Sequence, residues 1–195
     1  MRPGLTLYFI RHGETDWNAQ QRYQGQHDIP LNDRGRQQAL RNGETLKAAI
    51  EDLTALDFVA SPLQRTHETM RIIRRAMGLG MDGVQFDDRL REMSYGHWEG
   101  QLLSDLPHVD PEGVALRAAD TWNWQPRGGE SYQDLSGRVG AWINSITRDT
   151  IAVSHGGVSR ALRHLVLGTD RSEVPRLPVP QDRIIVIRDG QMTWL

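Results

Sequence analysis

Short apolar runs alternate with longer segments of helical periodicity along this chain. Residues 5–10, 56–60 and 151–153 are apolar and β-prone, which predicts three buried strands. Apolar residues recur at helical spacing from residue 33 onward, where Asn32 or Asp33 can serve as the N-cap. A second helix is predicted at Ser61 and Pro62, an N-cap residue followed by proline at the first helical position. Its apolar stripe is Leu63, Thr66, Met70, Ile73 and Met77.

Two further helices and a hairpin complete the pattern. Ser131, with Asp134 three residues later, is typical of a capping box and predicts the start of a third helix. Its apolar face is Leu135, Val139, Trp142 and Ile146. A fourth helix follows residues 154–157 and carries Val158, Leu162 and Leu165 on its apolar face. The pair Asp189 and Gly190, between residues 184–187 and 192–195, predicts a two-residue hairpin turn.

This alternation of strands and helices determines the expected fold class. It predicts an α/β protein with a mainly parallel sheet covered on both faces, a three-layer α/β/α sandwich. The length of 195 residues predicts one domain over residues 1–195. Within it, residues 94–129 are irregular and rich in tryptophan and proline, and we interpret them as an insertion that caps the site. Ligands of such sheets bind beyond the carboxyl ends of the strands, where we expect the chemistry.

Composition and charge narrow the classes of function. The 25 acidic and 23 basic residues give a net charge of −2, so no global basic field attracts nucleic acid or anionic lipid. The chain has no cysteine, which excludes a thiol nucleophile and a cysteine-based metal site. Its early apolar run is too short for a signal-peptide core or a membrane span. We therefore expect a soluble, cytoplasmic protein with no nucleic-acid or membrane partner.

Four cationic or titratable side chains follow predicted strands. His12 and His155 each come directly after a β run and precede glycine, and Arg11 and Arg65 also lie just after strands. If these strands are neighbours in one sheet, two imidazoles and two guanidiniums converge. Guanidiniums can bind a phosphoryl dianion with paired hydrogen bonds, and glycines let backbone N–H groups approach it. Nearby cations keep an imidazole unprotonated, and such a neutral ring can act as the nucleophile.

Five short blocks carry a resemblance to a known family. They are RHGET at 11–15 with WN at 17–18, SPLQRT at 61–66 with Thr69, LRE at 90–92, GHWEG at 96–100, and SHGG at 154–157. In this order they resemble the histidine phosphatase superfamily, also called the phosphoglycerate mutase-like family. The resemblance covers about residues 5–170. It implies the phosphoglycerate mutase-like fold and an enzyme that needs neither a metal nor another cofactor.

The resemblance also implies roles for individual residues. His12 would be the nucleophile that forms a phosphohistidine, and Glu92 the acid that protonates the leaving oxygen and later activates water. Arg11, Arg65 and His155 would bind the phosphoryl group. Further substrate contacts would come from Asn18, Thr15, Gln24, Gly25 and Gly156.

Several alternatives remain open at the level of sequence. Glu99 competes with Glu92 for the role of the acid. Besides a phosphatase acting on a small phosphate ester, the resemblance allows a mutase or a catalytically silent binding module. The chain ends in a hairpin and lacks the longer insertion and the arginine-rich, Pro-Pro-containing segment of the true mutases, which favours a hydrolase. Dimers are common in this family, so a homodimer is also allowed. Four aromatic residues are candidates for an apolar wall around the leaving group: Trp17, Tyr23, Trp122 and Trp124.

Overall fold

A single six-stranded sheet forms the centre of the molecule. The computed structural model describes residues 1–195 and orders the strands β3-β2-β4-β1-β5-β6. Strands β1 to β4 are parallel, and β5 and β6 are antiparallel additions at one edge. The strands are β1 Thr6–Arg11, β2 Asp57–Ala60, β3 Val84–Phe86, β4 Thr150–Ser154, β5 Ile184–Arg188 and β6 Gln191–Trp194.

Seven α-helices accompany the sheet, and the four longest cover its two faces. Helices α2 and α3 pack with the buried residues of one face, and α6 and α7 with those of the other. The prediction of an α/β/α sandwich with a mainly parallel sheet is confirmed. None of these helices is both long and apolar enough to cross a bilayer. The helices are α1 Asp16–Ala19, α2 Asp33–Ala49, α3 Gln64–Ala76, α4 Leu106–Val109, α5 Pro111–Ala119, α6 Tyr132–Ser145 and α7 Gly156–Leu167.

Alternation along the strands supplies a core to each face. Phe9 belongs to the cluster under α6 and α7, whereas the next residue, Ile10, belongs to the cluster under α2 and α3. In β4, Ala152 and Ile151 divide in the same way. Successive side chains of a strand point to opposite faces of the sheet. When both faces are covered by helices, every position of the strand is buried, and its sequence is a continuous apolar run. This explains why the three predicted strands show no polar alternation.

The predicted helix starts are confirmed at α2 and α6 and wrong at α3. Asn32 caps α2 through its side chain, and Ser131 with Asp134 forms the expected capping box on α6. Helix α3 instead begins at Gln64, with Leu63 in the cap position and no side-chain cap. Ser61 and Pro62 therefore lie before the helix, and the hydroxyl of Ser61 is bonded to the imidazole of His155.

The structure differs from the predicted pattern at two other places, in α7 and at β3. Leu165 is 41% exposed, because the stripe of α7 continues instead through Val166, which packs against the core. Strand β3 was not predicted, since two of its three residues are exposed and give no apolar run. The terminal hairpin is confirmed, and both of its turn residues, Asp189 and Gly190, have positive φ as a two-residue turn requires.

The predicted insertion contains regular structure that its sequence did not indicate. Residues 94–129 hold a short 3₁₀ helix over Gly96–Trp98, followed by α4 and α5. Trp98 is buried, and its indole N–H donates to the Asp110 carboxylate at 2.7 Å. Asp110 also accepts from the Gly113 backbone N–H at the start of α5, so one carboxylate joins the two parts of the segment.

Close backbone contact between two glycines fixes the segment that follows β1. A β-carbon on Gly13 would collide with the backbone of Gly35 in the first turn of α2. A β-carbon on Gly35 would in turn collide with the backbone of Glu14. Helix α2 can therefore lie directly against residues 13–14, next to His12, only because both positions lack side chains.

We expect Gly35→Ala to destabilise the protein by about 1–3 kcal/mol, as overpacking does, and to lower activity by displacing residues 12–14. Gly137→Ala is the matched control, because Gly137 lies in α6 with open space where a β-carbon would be. That variant should gain about 0.5–1 kcal/mol from helix propensity. Denaturant unfolding and steady-state kinetics measure both effects. Equal stability of the two variants would contradict the close contact.

Candidate active site

The carboxyl ends of three adjacent parallel strands bring the expected residues together. Strand β4 lies between β1 and β2, so the segments that follow all three strands meet at one edge of the sheet. His12 follows β1, His155 follows β4, and Arg65 lies in the first turn of the helix after β2. The two imidazole rings are 5.2 Å apart between centroids and nearly edge to face. The expectation that these strands are neighbours is therefore confirmed.

The hydrogen bonding of His12 determines which of its nitrogens is free. Its Nδ1 lies 2.7 Å from the Gly13 carbonyl oxygen, which can only accept, so Nδ1 carries the hydrogen. This leaves the lone pair on Nε2. Burial lowers the pKa of His12 well below its ordinary value, and the charges of Arg65 and Arg11 lower it further. The ring is neutral at physiological pH and presents an unprotonated Nε2.

The ring of His155 is hydrogen-bonded to the hydroxyl of Ser61. Its Nε2 lies 2.8 Å from Oγ of Ser61, while its Nδ1 is buried with no hydrogen-bond partner. Burial, and then the charge of Arg65, lower the pKa of His155 well below its ordinary value. A second neutral imidazole with one unused nitrogen therefore stands beside the first.

Arg11 and Arg65 are fixed by backbone carbonyls rather than by carboxylates. Arg65 donates to the carbonyls of His27 and Gly25 at 2.6 and 2.8 Å, and Arg11 donates to that of Val179 at 2.7 Å. Burial lowers the pKa of each to about 10, so both remain protonated at neutral pH. In each guanidinium Nε is buried without an acceptor. Two oriented cations thus keep hydrogen-bonding capacity that nothing in the chain uses.

A cavity of about 230 Å³ opens at this point. It is lined by eight of the residues to which the family resemblance gives a catalytic or binding role, namely Arg11, His12, Asn18, Gln24, Gly25, Arg65, Glu92 and Gly156. His155 lies behind it in contact with His12. Thr15 does not line it, because its hydroxyl caps α1 and bonds to Asn18. The oxygen of the Gln24 side chain is buried without a partner.

The two candidate acids occupy different places. Glu92 lines the cavity, where its Oε1 accepts N–H groups from Gly157 at 3.0 Å and Met93 at 2.9 Å. Glu99 lies outside the cavity lining and joins two loops. Its Oε1 accepts the backbone N–H of Tyr95 at 2.9 Å, and its Oε2 is 2.7 Å from Nδ1 of His27. This placement favours Glu92 over Glu99 as the acid.

Of the four aromatic residues considered for an apolar wall, only Tyr23 lines the cavity. Trp122 is buried in the core beside Tyr132, and Trp124 packs on Trp98. Trp17 lies against His27. The expected place in an apolar wall is therefore wrong for the three tryptophans, whose indoles pack within the surrounding segments instead, and stays open only for Tyr23.

An arginine that the sequence did not single out fixes the segment of Glu92. Arg138 on α6 forms an ion pair with Glu130 at 2.8 Å. Its Nη2 donates to the Glu92 carbonyl at 3.0 Å, and its Nη1 donates to the carbonyls of two neighbouring residues, Arg89 and Arg91. The backbone that carries Glu92 is thereby tied to α6. From sequence this arginine looks like part of a solvated helix face, and only the tertiary contacts reveal it.

Comparison with known proteins agrees with this geometry. The sequence profile of the histidine phosphatase superfamily (branch 1) matches residues 7–194, so the chain belongs to that superfamily. It is also 34% identical over 98% of its length to a protein named probable phosphoglycerate mutase GpmB from Salmonella choleraesuis, of which the match covers 88%.

Solved structures are similar over nearly the whole chain. An α-ribazole phosphatase from Shigella flexneri superposes with a TM-score of 0.81 and 29% identity, covering 97% of this chain and 94% of that one. A mycobacterial glucosyl-3-phosphoglycerate phosphatase in complex with VO3 gives 0.80 and 30%, covering 98% and 96%. Both of these similar structures are named as phosphatases of small phosphorylated compounds.

The two buried imidazoles predict how stability depends on pH. An unfolded histidine titrates near pH 6.5, whereas His12 and His155 stay neutral well below that value in the fold. Below about pH 6.5 the unfolded chain therefore binds more protons, and stability falls as pH falls. The slope is up to about 1.4 kcal/mol per pH unit for each histidine. Denaturant unfolding between pH 7 and 5 should show this loss, and His12→Gln should make the slope shallower. An unchanged slope in that variant would contradict the lowered pKa of His12.

Arg138→Met should impair reactions that need a proton on the leaving group. We expect kcat/KM for glycerol 3-phosphate to fall by up to about 100-fold, within the range that general acids contribute. The loss with p-nitrophenyl phosphate should be much smaller, since nitrophenolate leaves unprotonated. The double variant Arg138→Met/Glu130→Gln is the control, because it also removes the carboxylate left without its partner. Equal losses on both substrates would mean that Arg138 only stabilises the fold.

Proposed function

We propose that the cavity hydrolyses a small phosphomonoester by double displacement through His12. The observation that carries this proposal is the set of unused buried nitrogens around a neutral imidazole: Nε of Arg11, Nε of Arg65 and Nδ1 of His155. Buried polar groups without partners are rare and costly in proteins. A phosphoryl dianion would supply acceptors for all of them and would compensate the two guanidinium charges.

In the first step Nε2 of His12 attacks phosphorus and the bond to the ester oxygen breaks. Arg11 and Arg65 stabilise the charge on the transferring group, and a proton from Glu92 goes to the departing alkoxide. With Ser61 donating its hydroxyl hydrogen to Nε2 of His155, Nδ1 of that ring carries a hydrogen and becomes a third donor to the phosphoryl oxygens. Catalysis on this view is mainly orientation and fixed charge.

In the second step water attacks the phosphohistidine. Glu92 now lacks its proton and can accept one from that water, so inorganic phosphate leaves and both residues return to their starting states. Asn18, Gln24, Gly25 and the N-terminus of α7 at Gly156 line the space that the phosphoryl group would occupy. A mycobacterial phosphatase of similar fold is known in complex with VO3, a phosphoryl-like group, which supports a phosphoryl ligand for this fold.

The name of the Salmonella relative keeps a mutase as the second candidate. A mutase would return the phosphoryl group to a bound alcohol instead of to water. The similarity to two phosphatase structures over at least 97% of the chain favours hydrolysis. A silent binding module is disfavoured, since the cavity holds the nucleophile, both arginines and Glu92 together. The cytoplasmic location, the homodimer, the lack of a nucleic-acid partner and the capping role of residues 94–129 stay predictions from the sequence.

The double displacement can be tested by trapping the intermediate in Glu92→Gln. This variant should accept a phosphoryl group from p-nitrophenyl phosphate, which needs no acid, and then hydrolyse the adduct about 10²- to 10⁴-fold more slowly for lack of the base. After an alkaline quench in the presence of EDTA, mass spectrometry should find an acid-labile phosphoryl group on the peptide that contains His12.

The matched control is Glu92→Gln/His12→Gln, which should carry no label. A label on another residue, or on none while wild type remains active, would contradict the mechanism. Loss of wild-type activity in EDTA with recovery on adding a divalent cation would contradict its metal independence.

A further inference from the structure

The segment between α7 and β5 passes beside the cavity and is rich in proline. Its residues 177–181, which we call the strap, have the sequence Leu-Pro-Val-Pro-Gln. Pro178 and Pro180 have no backbone N–H, and each favours an extended conformation in the residue before it. The backbone of the strap therefore offers mainly carbonyl oxygens, which need donors from elsewhere in the chain.

Side chains from other elements supply these donors. Four carbonyls of the strap accept hydrogen bonds of 2.7–3.0 Å. The pairs are Leu177 with Arg160, Pro178 with Arg163, Val179 with Arg11, and Gln181 with Asn42. Asn42 is buried on α2, whereas two of the arginines lie on α7. The strap is thus tied to the helices of both faces of the sheet, which fixes its position beside the cavity.

The side chain of Gln181 reaches from the strap to the residues around the phosphoryl position. Its Nε2 lies 3.1 Å from the His12 carbonyl oxygen and 3.1 Å from Oδ1 of Asn18. Both of these partners line the cavity, whereas Gln181 does not. Gln181 therefore lies behind two residues that face the cavity and can act only through them.

Backbone groups determine which way the two amides face. The Thr15 N–H can only donate, so the Asn18 atom 3.2 Å from it is the oxygen. The His12 carbonyl can only accept, so the Gln181 atom beside it is the nitrogen. Oδ1 of Asn18 accepts from Gln181 and from both the N–H and the hydroxyl of Thr15, whereas its Nδ2 has no partner in the chain. Nδ2 is therefore the end of this amide that remains for a ligand in the cavity.

The peptide bond that follows His12 is held at both ends. Gln181 donates to its carbonyl, and its N–H, on Gly13, donates to the hydroxyl of Thr69 at 3.1 Å. The ring of His12 is itself bonded to the Gly13 carbonyl. A rotation of this peptide would therefore also turn the imidazole and move its Nε2.

We propose that Gln181 is a positioning residue for the phosphoryl-transfer site. It holds the backbone of His12 and keeps the N–H groups of Asn18 turned toward the phosphoryl group. This inference rests on the proposed function and adds to it a residue that lies outside all five sequence blocks.

The test compares Gln181→Met with Gln181→Glu by kcat/KM for p-nitrophenyl phosphate. Gln181→Met only removes the donor, so we expect about a tenfold loss, as for two neutral hydrogen bonds. Gln181→Glu keeps the size of the side chain but places a carboxylate, which can only accept, against two oxygens. The Asn18 amide would then turn its N–H groups toward that carboxylate, and we expect a further loss of about 10- to 100-fold. The controls, Gln191→Met and Gln191→Glu on the exposed side of β6, should keep wild-type kcat/KM.

The same pair of variants in an Asn18→Ala background separates orientation from charge. Without the Asn18 amide there is no group to turn, so Gln181→Glu and Gln181→Met should then differ by less than about threefold. A loss caused by the added negative charge would instead persist. Equal losses for the two variants in the wild-type background, or an extra loss for Gln181→Glu that remains without Asn18, would overturn the proposal.

Asn42→Ala approaches the same link from α2. It removes the donor to the Gln181 carbonyl and should lower kcat/KM by about 2- to 10-fold, but not further in Gln181→Met. If the Gln181 variants do not fold, a folded Asn42→Ala with wild-type kcat/KM would overturn the proposal. If His12 is labelled while the Gln181 variants behave like the controls, the proposed function stands and the positioning role fails. If wild type neither hydrolyses the ester nor carries a label, both fail.

Discussion

The burial of two guanidinium charges without carboxylate partners is the constraint on which this site depends. Removing a cation from water is costly unless hydrogen bonds and an opposite charge replace the lost solvation. Here the chain supplies carbonyl acceptors for part of each guanidinium of Arg11 and Arg65 and leaves Nε of each unused. Burial and, after it, these same cations keep His12 neutral. Affinity for an anion and the uncharged state of the proposed nucleophile therefore share part of their physical origin.

The fold meets this constraint with few contacts. Parallel pairing of β2, β4 and β1 brings three strand ends together, and the glycine pair at 13 and 35 lets α2 pack against the segment that follows His12. Ser61 lies between β2 and α3, and its hydroxyl is hydrogen-bonded to one ring nitrogen of His155. Each contact is made by backbone or by a short side chain, which leaves little freedom for the imidazoles to reorient.

Sequence patterns predicted the parts of the structure that depend on local order along the chain. The predicted strands and the block motifs put His12, His155 and Arg65 after strand ends, and the order of strands in the sheet makes those ends neighbours. The sequence patterns did not reveal the role of Arg138 or the bond of Ser61 to His155. An arginine on a solvated helix face, or a serine that caps a helix before a proline, has the same local sequence. Strand β3 was missed because its pairing, rather than its composition, makes it a strand.

The ties of Arg138 and Gly35 come from opposite layers of the sandwich. The segment of His12 is supported by α2 on one side of the sheet, and the segment of Glu92 is supported by α6 on the other. With the roles proposed above for these two residues, substitutions in one layer can change how readily poor leaving groups depart without altering how the phosphoryl group is captured. Because of this division, one scaffold can change its range of substrates while it binds the phosphoryl group in the same way. The rigidity of the sheet then sets the distance between the two reacting groups.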